Sequence, residues 1–264
     1  MTKNKPTRNE FQRGLSSMTP TAAQAKRATG DEAGAFQPRQ LEMPYPHHKG
    51  VAEHLNRLRD FSTRMRFLRN ETIFSQGDAA AHILTMVSGC VRLCRNLPDG
   101  RRHIPDFMFP GDIFGLSEQA AYATGAEAVG LVTLAACPRS YFERLCEGNA
   151  RVRSDLLAHL ASRLASAQQH LFVISCQSAR ERLAWFLVNM CDRGNLFGDR
   201  LDVPMGRQDI ADYLGLTIET ICRAIAVLKS EGMIDVPNAH QFVIRKAGAL
   251  RALADGRNPH LVVG

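Results

Sequence analysis

The chain has no unbroken run of about 18 apolar residues, so it offers no helix able to span a bilayer. Its amino end mixes Lys3, Lys5, Arg8 and Glu10 with no apolar core after them, which argues against a secretory signal and for the cytoplasm. No cysteine precedes Cys90, so the first third of the chain has no thiolate to offer a metal or cluster. The seven cysteines of a cytoplasmic protein are expected as buried small residues or free thiols, not disulfides. Phosphate-binding G-x-x-x-x-G-K-[ST] loops, G-x-S-x-G elbows and H-E-x-x-H pairs are all missing. Ser, Cys and His residues form no paired signature, so the residues argue against an enzyme.

What is present suits a regulator of two small domains. With 264 residues, 45% of them hydrophobic, the chain can bury two ordinary cores. A net charge of +7 favours polyanionic partners. Its distribution is less helpful: residues 1–60 hold 10 basic and 6 acidic groups, 61–177 hold 12 and 10, and 178–264 hold 11 and 10. Residues 1–50 are rich in Thr, Ala, Pro, Gln and Gly without sustained periodicity and read as a poorly ordered arm. Val51, Leu55, Leu58 and Phe61 then repeat at helical spacing. His47, His48 and His54 cluster nearby, but without cysteine or carboxylate partners at ligand spacing no metal site is expected.

Residues 206–232 carry the most information. Ile210, Ala211 and Leu214 give a short helix an apolar face, Gly215 stops it, and Thr217 is an N-cap for a second helix. In that helix Ile221, Ile225 and Leu228 recur at helical spacing, turning Glu219, Cys222 and Arg223 to the other side. This is the layout of a helix-turn-helix, whose second helix enters the major groove of double-stranded DNA by its amino-terminal part. A carboxylate at Glu219 can accept from cytosine, and the Arg223 guanidinium can pair with guanine. Thr217 and Thr220 can hold phosphates. The same spacing also fits an ordinary i,i+4 surface ion pair between Glu219 and Arg223. Any affinity must come from local placement of Arg180, Arg182, Arg207, Arg223, Lys229 and the segment that follows. There two strands are expected, Met233 to Val236 and Gln241 to Ile244, around Pro237, Asn238, Ala239 and His240.

Upstream, Phe67 to Cys137 alternates in short segments between Gly77, Gly89, Gly100, Gly111 and Gly115, the pattern of strands and turns. Pro105 within one strand suggests a sheet edge. From Asn149 as N-cap to about Cys176, Leu157, Leu164 and Leu171 recur every seven residues, as do Leu160, Ala167 and Ile174 three positions later. Such a seam seeks a second helix of its own kind, in a parallel homodimer. The segment from Ser178 to Arg193, with Leu183, Phe186, Leu187 and Met190, would pack beneath the reader, and Trp185 is most simply core.

The run RQDIADYLGLTIET followed by Cys-Arg, with FSQGD, VSGCVRL, DGRRH and FPGDIFG upstream, resembles the CRP/FNR superfamily of bacterial transcription regulators from about Arg64 to Ala254. The resemblance implies an α+β chain: an N-terminal double-stranded β-roll like that of cyclic-nucleotide-binding domains, a long dimerisation helix, and a C-terminal winged helix-turn-helix. The expected division is 1–50 arm, 51–148 roll with flanking helices, 149–177 dimerisation helix and 178–264 DNA-binding domain. Relatives of the FNR and FixK branch carry Glu and Arg where this chain has Glu219 and Arg223. With Ile218 in place of the Arg of the cyclic-AMP receptor branch, a TTGA-type half-site is implied. Nucleotide-binding relatives have a Glu after the Gly of the FG turn and an Arg about ten residues on. Here Leu116 follows Gly115, the matching segment offers Ala126 and Glu127, Glu118 lies too far along, and Glu127 is expected to repel a phosphate. Oxygen sensors of the FNR type hold clustered cysteines in the arm, whereas this chain has only the pair Cys90 and Cys94 on a predicted strand.

The resemblance therefore narrows to the FixK-like type, with no cofactor. A dimeric regulator, most simply an activator of genes for low-oxygen life, would also touch RNA polymerase through loops of the roll and wing. Cys222, beside Arg223 and near the positive helix end, is a redox candidate whose oxidation would oppose DNA binding. The alternative is a ligand- or haem-dependent sensor whose roll must be filled before DNA is bound.

Overall fold

The structure, a computed structural model, describes residues 62–117 and 120–257. The readings made for the arm, for Val51 to Phe61, for His47, His48 and His54, and for Glu118 lie outside these residues. Eight strands build the roll: β1 (Thr63–Phe67), β2 (Thr72–Phe74), β3 (His82–Ser88), β4 (Val91–Asn96), β5 (Arg102–Met108), β6 (Ile113–Phe114), β7 (Gly125–Ala128) and β8 (Val132–Pro138). They form two four-stranded sheets in the orders β1-β8-β3-β6 and β2-β7-β4-β5, with antiparallel pairing. Pro105 lies in β5, an edge strand, where its missing N–H breaks no ladder. Gly89 turns β3 into β4 at a φ of 88°, and a Cβ there would lie 2.4 Å from the Leu131 carbonyl oxygen.

Leu84, Met86, Val91, Met108, Phe114, Ala126, Ala128 and Leu134 point inward and fill the roll with Phe74 and Tyr122, whose rings stack at 3.8 Å. Strand alternation sends the intervening side chains outward. Glu127 is one of them, which corrects the expectation that it faces a phosphate inside the roll: it pairs across the ladder with Arg92 at 2.7 Å.

Helix α1 (Arg139–Gly148) closes the roll and leads to α2 (Ala150–Cys176), 27 residues and about 40 Å long at 1.5 Å per residue. Asn149 caps α2, its side chain accepting from the amides of Arg151 and Val152. Leu157, Leu164 and Leu171 are 67%, 60% and 61% exposed on it, with Leu160, Ala167 and Phe172 also exposed and Ile174 half-buried. Helix α3 (Ala179–Met190) begins with a capping box between Ser178 and Glu181 and buries Leu183, Trp185, Phe186, Leu187 and Met190. No helix among the described residues is long and apolar enough to cross a membrane.

A π-turn (Cys191–Asn195) and the short strands β9 (Leu196–Phe197) and β10 (Arg200–Asp202) precede α4 (Arg207–Leu214), α5 (Ile218–Ser230), β11 (Ile234–Asn238), β12 (Gln241–Ile244) and α6 (Ala247–Ala254). The four strands form one sheet, β11-β12-β10-β9. The β9–β10 pair was not foreseen, because two and three residues carry no periodicity. Strand β11 runs on through Pro237 because it too is an edge, and the reversal falls at Ala239 and His240.

The outer face of β4 and β5 does not meet solvent. Cys90, Cys94, Ile104, Phe107 and Phe109 join α3, α4 and α5 in one continuous apolar core. Burial pushes the Cys90 thiol up strongly and that of Cys94 up to about 11, so both stay protonated. His170 of α2, Trp185 of α3 and Tyr213 of α4 stack at the centre of this border, and His170 Nε2 lies 3.0 Å from the Tyr213 carbonyl. Beside them Arg193 donates to the Phe107 carbonyl at 3.2 Å and lies 3.6 Å from Asp112 and 3.7 Å from Asp106, which Arg163 of α2 also reaches at 2.8 Å.

Candidate nucleic-acid interface

The turn between α4 and α5 is built by three local devices. Gly215 takes a left-handed φ of 63° and its amide bonds back to Ala211. Arg182, from α3, donates to the Leu214 carbonyl at 3.1 Å and to the Gln177 carbonyl at 2.8 Å, satisfying the end of α4. Thr217 Oγ1 accepts from the Thr220 amide at 3.2 Å and so starts α5. Arg182 is thereby committed inside the protein, and Arg180 is held by Glu231 at 2.8 Å. Both are thus engaged by groups of other elements, which their expected placement as DNA contacts did not include.

Ile221, Ala224, Ile225 and Leu228 anchor α5 in the core, which leaves Glu219 and Arg223 exposed. Among the described residues these two make no ion pair with each other. Arg223 Nη2 instead donates to Thr220 Oγ1 at 3.3 Å, and Thr220 Oγ1 lies 3.0 Å from Thr217 Oγ1. The Glu219 carboxyl is held below the usual carboxylate range, first by its own backbone amide at the helix start and then by the Thr217 hydroxyl. An anionic acceptor and a cationic fork thus stand one turn apart, both facing solvent, the pair that base edges of a G·C step require.

Arg207, the first residue of α4, donates from Nη1 to the Cys222 sulfur at 3.5 Å, and Cys222 is half-buried. Ile218 is half-buried as well. The structure therefore brings Arg207, Thr217, Ile218, Glu219, Thr220, Cys222 and Arg223 to the amino-terminal half of the reader. Lys229 stands apart at the other end of α5, 3.4 Å from Asp235 in the wing. Among the described residues no group of three or more His, Cys, Asp or Glu is arranged to hold a metal ion.

Sequence reasoning missed a set of residues behind the reader. Asp209 and Asp212 on α4 receive Arg92 and Arg102 from the roll. Local periodicity carries no signal for this, since the partners are 117 and 110 residues apart.

A Crp-like helix-turn-helix domain profile matches residues 181–253, and a cyclic nucleotide-binding domain profile matches residues 64–149. The nitrogen fixation regulation protein FixK of Rhizobium meliloti is 42% identical over 184 residues, 69% of this chain and 83% of that protein. The chain belongs to the CRP/FNR family. The transcriptional activatory protein AadR of Rhodopseudomonas palustris is 35% identical over 188 residues, covering 70% of this chain and 78% of that one. The solved structure of FixK2 from Bradyrhizobium japonicum aligns with a TM-score of 0.69 at 34% identity, covering 73% of this chain and 96% of that one. As a member of the CRP/FNR family the chain is a DNA-binding transcription regulator, not an enzyme, with the β-roll and helix-turn-helix that its residues imply.

Proposed function

We propose that the protein is a FixK-like transcription activator that binds a TTGA-N6-TCAA-like palindrome as a parallel homodimer, needs no cofactor, and contacts RNA polymerase. The observation that carries this reading is the reader helix itself: Glu219 and Arg223 are exposed, unpaired with each other and already oriented by Thr217 and Thr220. The exposed leucine seam of α2 supports dimerisation, which two readers on a palindrome require at half-sites about 34 Å apart. Cofactor independence is supported by the roll interior, where Phe74, Tyr122, Phe114, Met86 and Met108 are buried against one another in one apolar cluster. Activation rests on the likeness to AadR and the FixK proteins.

The test is fluorescence anisotropy of reduced, additive-free protein on a TTGA-N6-TCAA duplex, with TGTGA and scrambled duplexes as competitors at fixed salt. Selective binding is expected. Equal binding to all three would refute the reader code, and selectivity that appears only after adding a ligand would favour a sensor. On this reading Cys222 also tunes binding, because its oxidation adds bulk and negative charge beside Arg207, where phosphate approaches. Peroxide is expected to release wild-type protein from DNA and to spare Cys222→Ala; equal loss in both would end the redox part alone.

A further inference from the structure

The border between the roll and the reader domain carries a charged lattice as well as an apolar core. Arg102 of β5 binds Asp212 by two nitrogens, Nε at 2.8 Å and Nη2 at 2.7 Å, and the same Nη2 lies 2.6 Å from Asp209. Arg92 of β4 gives Nη1 to both Asp209 oxygens at 3.2 and 3.4 Å. Its other face is fixed inside the roll: Nε and Nη2 bind Glu127 at 2.9 and 2.7 Å, and Nη2 reaches Asn70 Oδ1 at 3.2 Å. Asn70 adopts a φ of 64°, unlike any other non-glycine residue among those described. The roll thus presents two guanidinium groups, that of Arg92 held in advance by Glu127 and Asn70, and α4 presents two carboxylates to them.

We propose that Arg92, Arg102, Asp209 and Asp212 are positioning residues for DNA reading, a clamp that holds the reader helix in its binding orientation with no effector bound. This rests on the DNA-binding function proposed above. Three observations argue for orientation over bulk stability. First, the clamp grips α4, and α4 is tied to α5 by the Gly215 turn and by Arg182 on the Leu214 carbonyl, so α5 follows wherever α4 is held. Second, the clamp closes on the side of α4 that faces the roll, while Glu219, Thr217 and Arg223 remain exposed. The closed clamp therefore leaves the reading face of α5 accessible.

Third, burying ions is a poor way to gain stability, because desolvation offsets most of the attraction. Charge-assisted arginine–carboxylate bonds made through several donors, as Arg102 makes to Asp212 and Asp209, do restrict angle and register, which apolar contacts such as Phe107 against Tyr213 do not. Gln177 and Ser178, between α2 and α3, are extended backbone, so the reader domain is not carried on α2 by a continuous helix. In a dimer both readers must meet their half-sites at once, and holding each in place in advance removes an ordering cost from binding.

The experiment is a double-mutant cycle with Arg102→Gln, Asp212→Asn and the double variant in the full chain. Affinity is read on the TTGA-N6-TCAA duplex across a salt series, with melting temperature and sedimentation in parallel. Each single change is expected to weaken binding roughly tenfold, and the double to be no weaker than the worse single, the signature of a shared interaction. The salt slope is expected to stay that of wild type, since neither residue touches phosphate. Arg102→Lys, which keeps charge and loses the fork, is expected to fall between.

Singles that melt lower yet bind like wild type would overturn the proposal and leave a stabilising contact only. Losses that multiply in the double variant, or a salt slope reduced by about one in Arg102→Gln, would overturn it as well, the latter by making Arg102 a phosphate contact. Wild-type protein that fails to select the TTGA duplex would refute the function proposed above; selective wild type with unaltered variants would refute the clamp alone.

Discussion

Replacement of Leu164 by alanine tests the dimer seam most directly. Leu164 lies in the middle of α2 and is 60% exposed in the single chain, between Leu157 and Leu171 at 67% and 61%. A parallel partner helix would cover that exposed part in both protomers. Truncation removes three carbons, and at about 0.8 kcal/mol per buried carbon, scaled by the exposed share, the loss is about 1.4 kcal/mol per protomer. Counted for both protomers, the dimer loses about 3 kcal/mol, which raises its dissociation constant roughly 100-fold. The fold of each chain should change little, because most of this side chain touches only solvent in the isolated protomer. Sedimentation equilibrium from nanomolar to micromolar concentration reads the shift, and circular dichroism confirms that the helix persists. A dissociation constant within about threefold of wild type would refute the seam as the interface, and with it the symmetric mode of reading.

Other outcomes follow from the same structure. Arg223→Ala is expected to lose about 1–3 kcal/mol on the TTGA duplex, about 5- to 150-fold, and to relax the preference at the guanine; Arg223→Lys should restore little, since an ammonium has no fork. A loss equal on all duplexes would make Arg223 a phosphate contact instead. Burial holds His170 below the usual histidine range, against the opposing pull of Asp106 and the Tyr213 carbonyl. The folded chain therefore keeps this imidazole neutral while the unfolded chain protonates near pH 6.5, so stability present above that pH falls on acidification toward the lowered value. Melting temperatures from pH 7.5 to 5.5 should drop less steeply for His170→Gln than for wild type, and parallel curves would count against the argument.

The parts of this fold that were legible in the sequence are those where local chemistry decides. Asn149, Thr217 and Gly215 mark helix ends by hydrogen bonds within a few residues, and all three act at those ends in the structure. Pro105 announces an edge because it cannot donate, and β5 is one. Ile221, Ile225 and Leu228 give the buried face of α5 and, by subtraction, its exposed face. What stayed hidden is decided between elements. Glu127 looked like an obstacle to a ligand because sequence alone does not tell which face of a two-residue alternation turns inward. Arg180 and Arg182 looked like free cations because their acceptors, Glu231 and the carbonyls of Gln177 and Leu214, come from other elements. Phe107 and Ile104 face another domain's core, not solvent, which no period within the roll reveals.

The near neutrality of the reader domain, at first an argument against affinity for a polyanion, changes meaning once its acidic groups are located. Of the 10 acids in residues 178–264, Asp209 and Asp212 are neutralised by arginines of the roll. Asp192 pairs with Arg251, Glu231 with Arg180, and Asp199 with Arg245. Glu219 alone among these groups stands on the exposed amino-terminal turn of the reader helix, where the positive end of the helix dipole and the Thr217 hydroxyl offset its charge. Net charge summed over a domain therefore says little here, because Asp209 and Asp212 are matched by arginines from outside the domain, while Asp192, Asp199 and Glu231 are matched by cations within it. On the reader code and clamp proposed above, base contacts and preorganisation supply what bulk attraction does not. Its affinity for the specific duplex should consequently depend less on salt than its affinity for scrambled DNA, since phosphate contacts supply a smaller share of the specific complex.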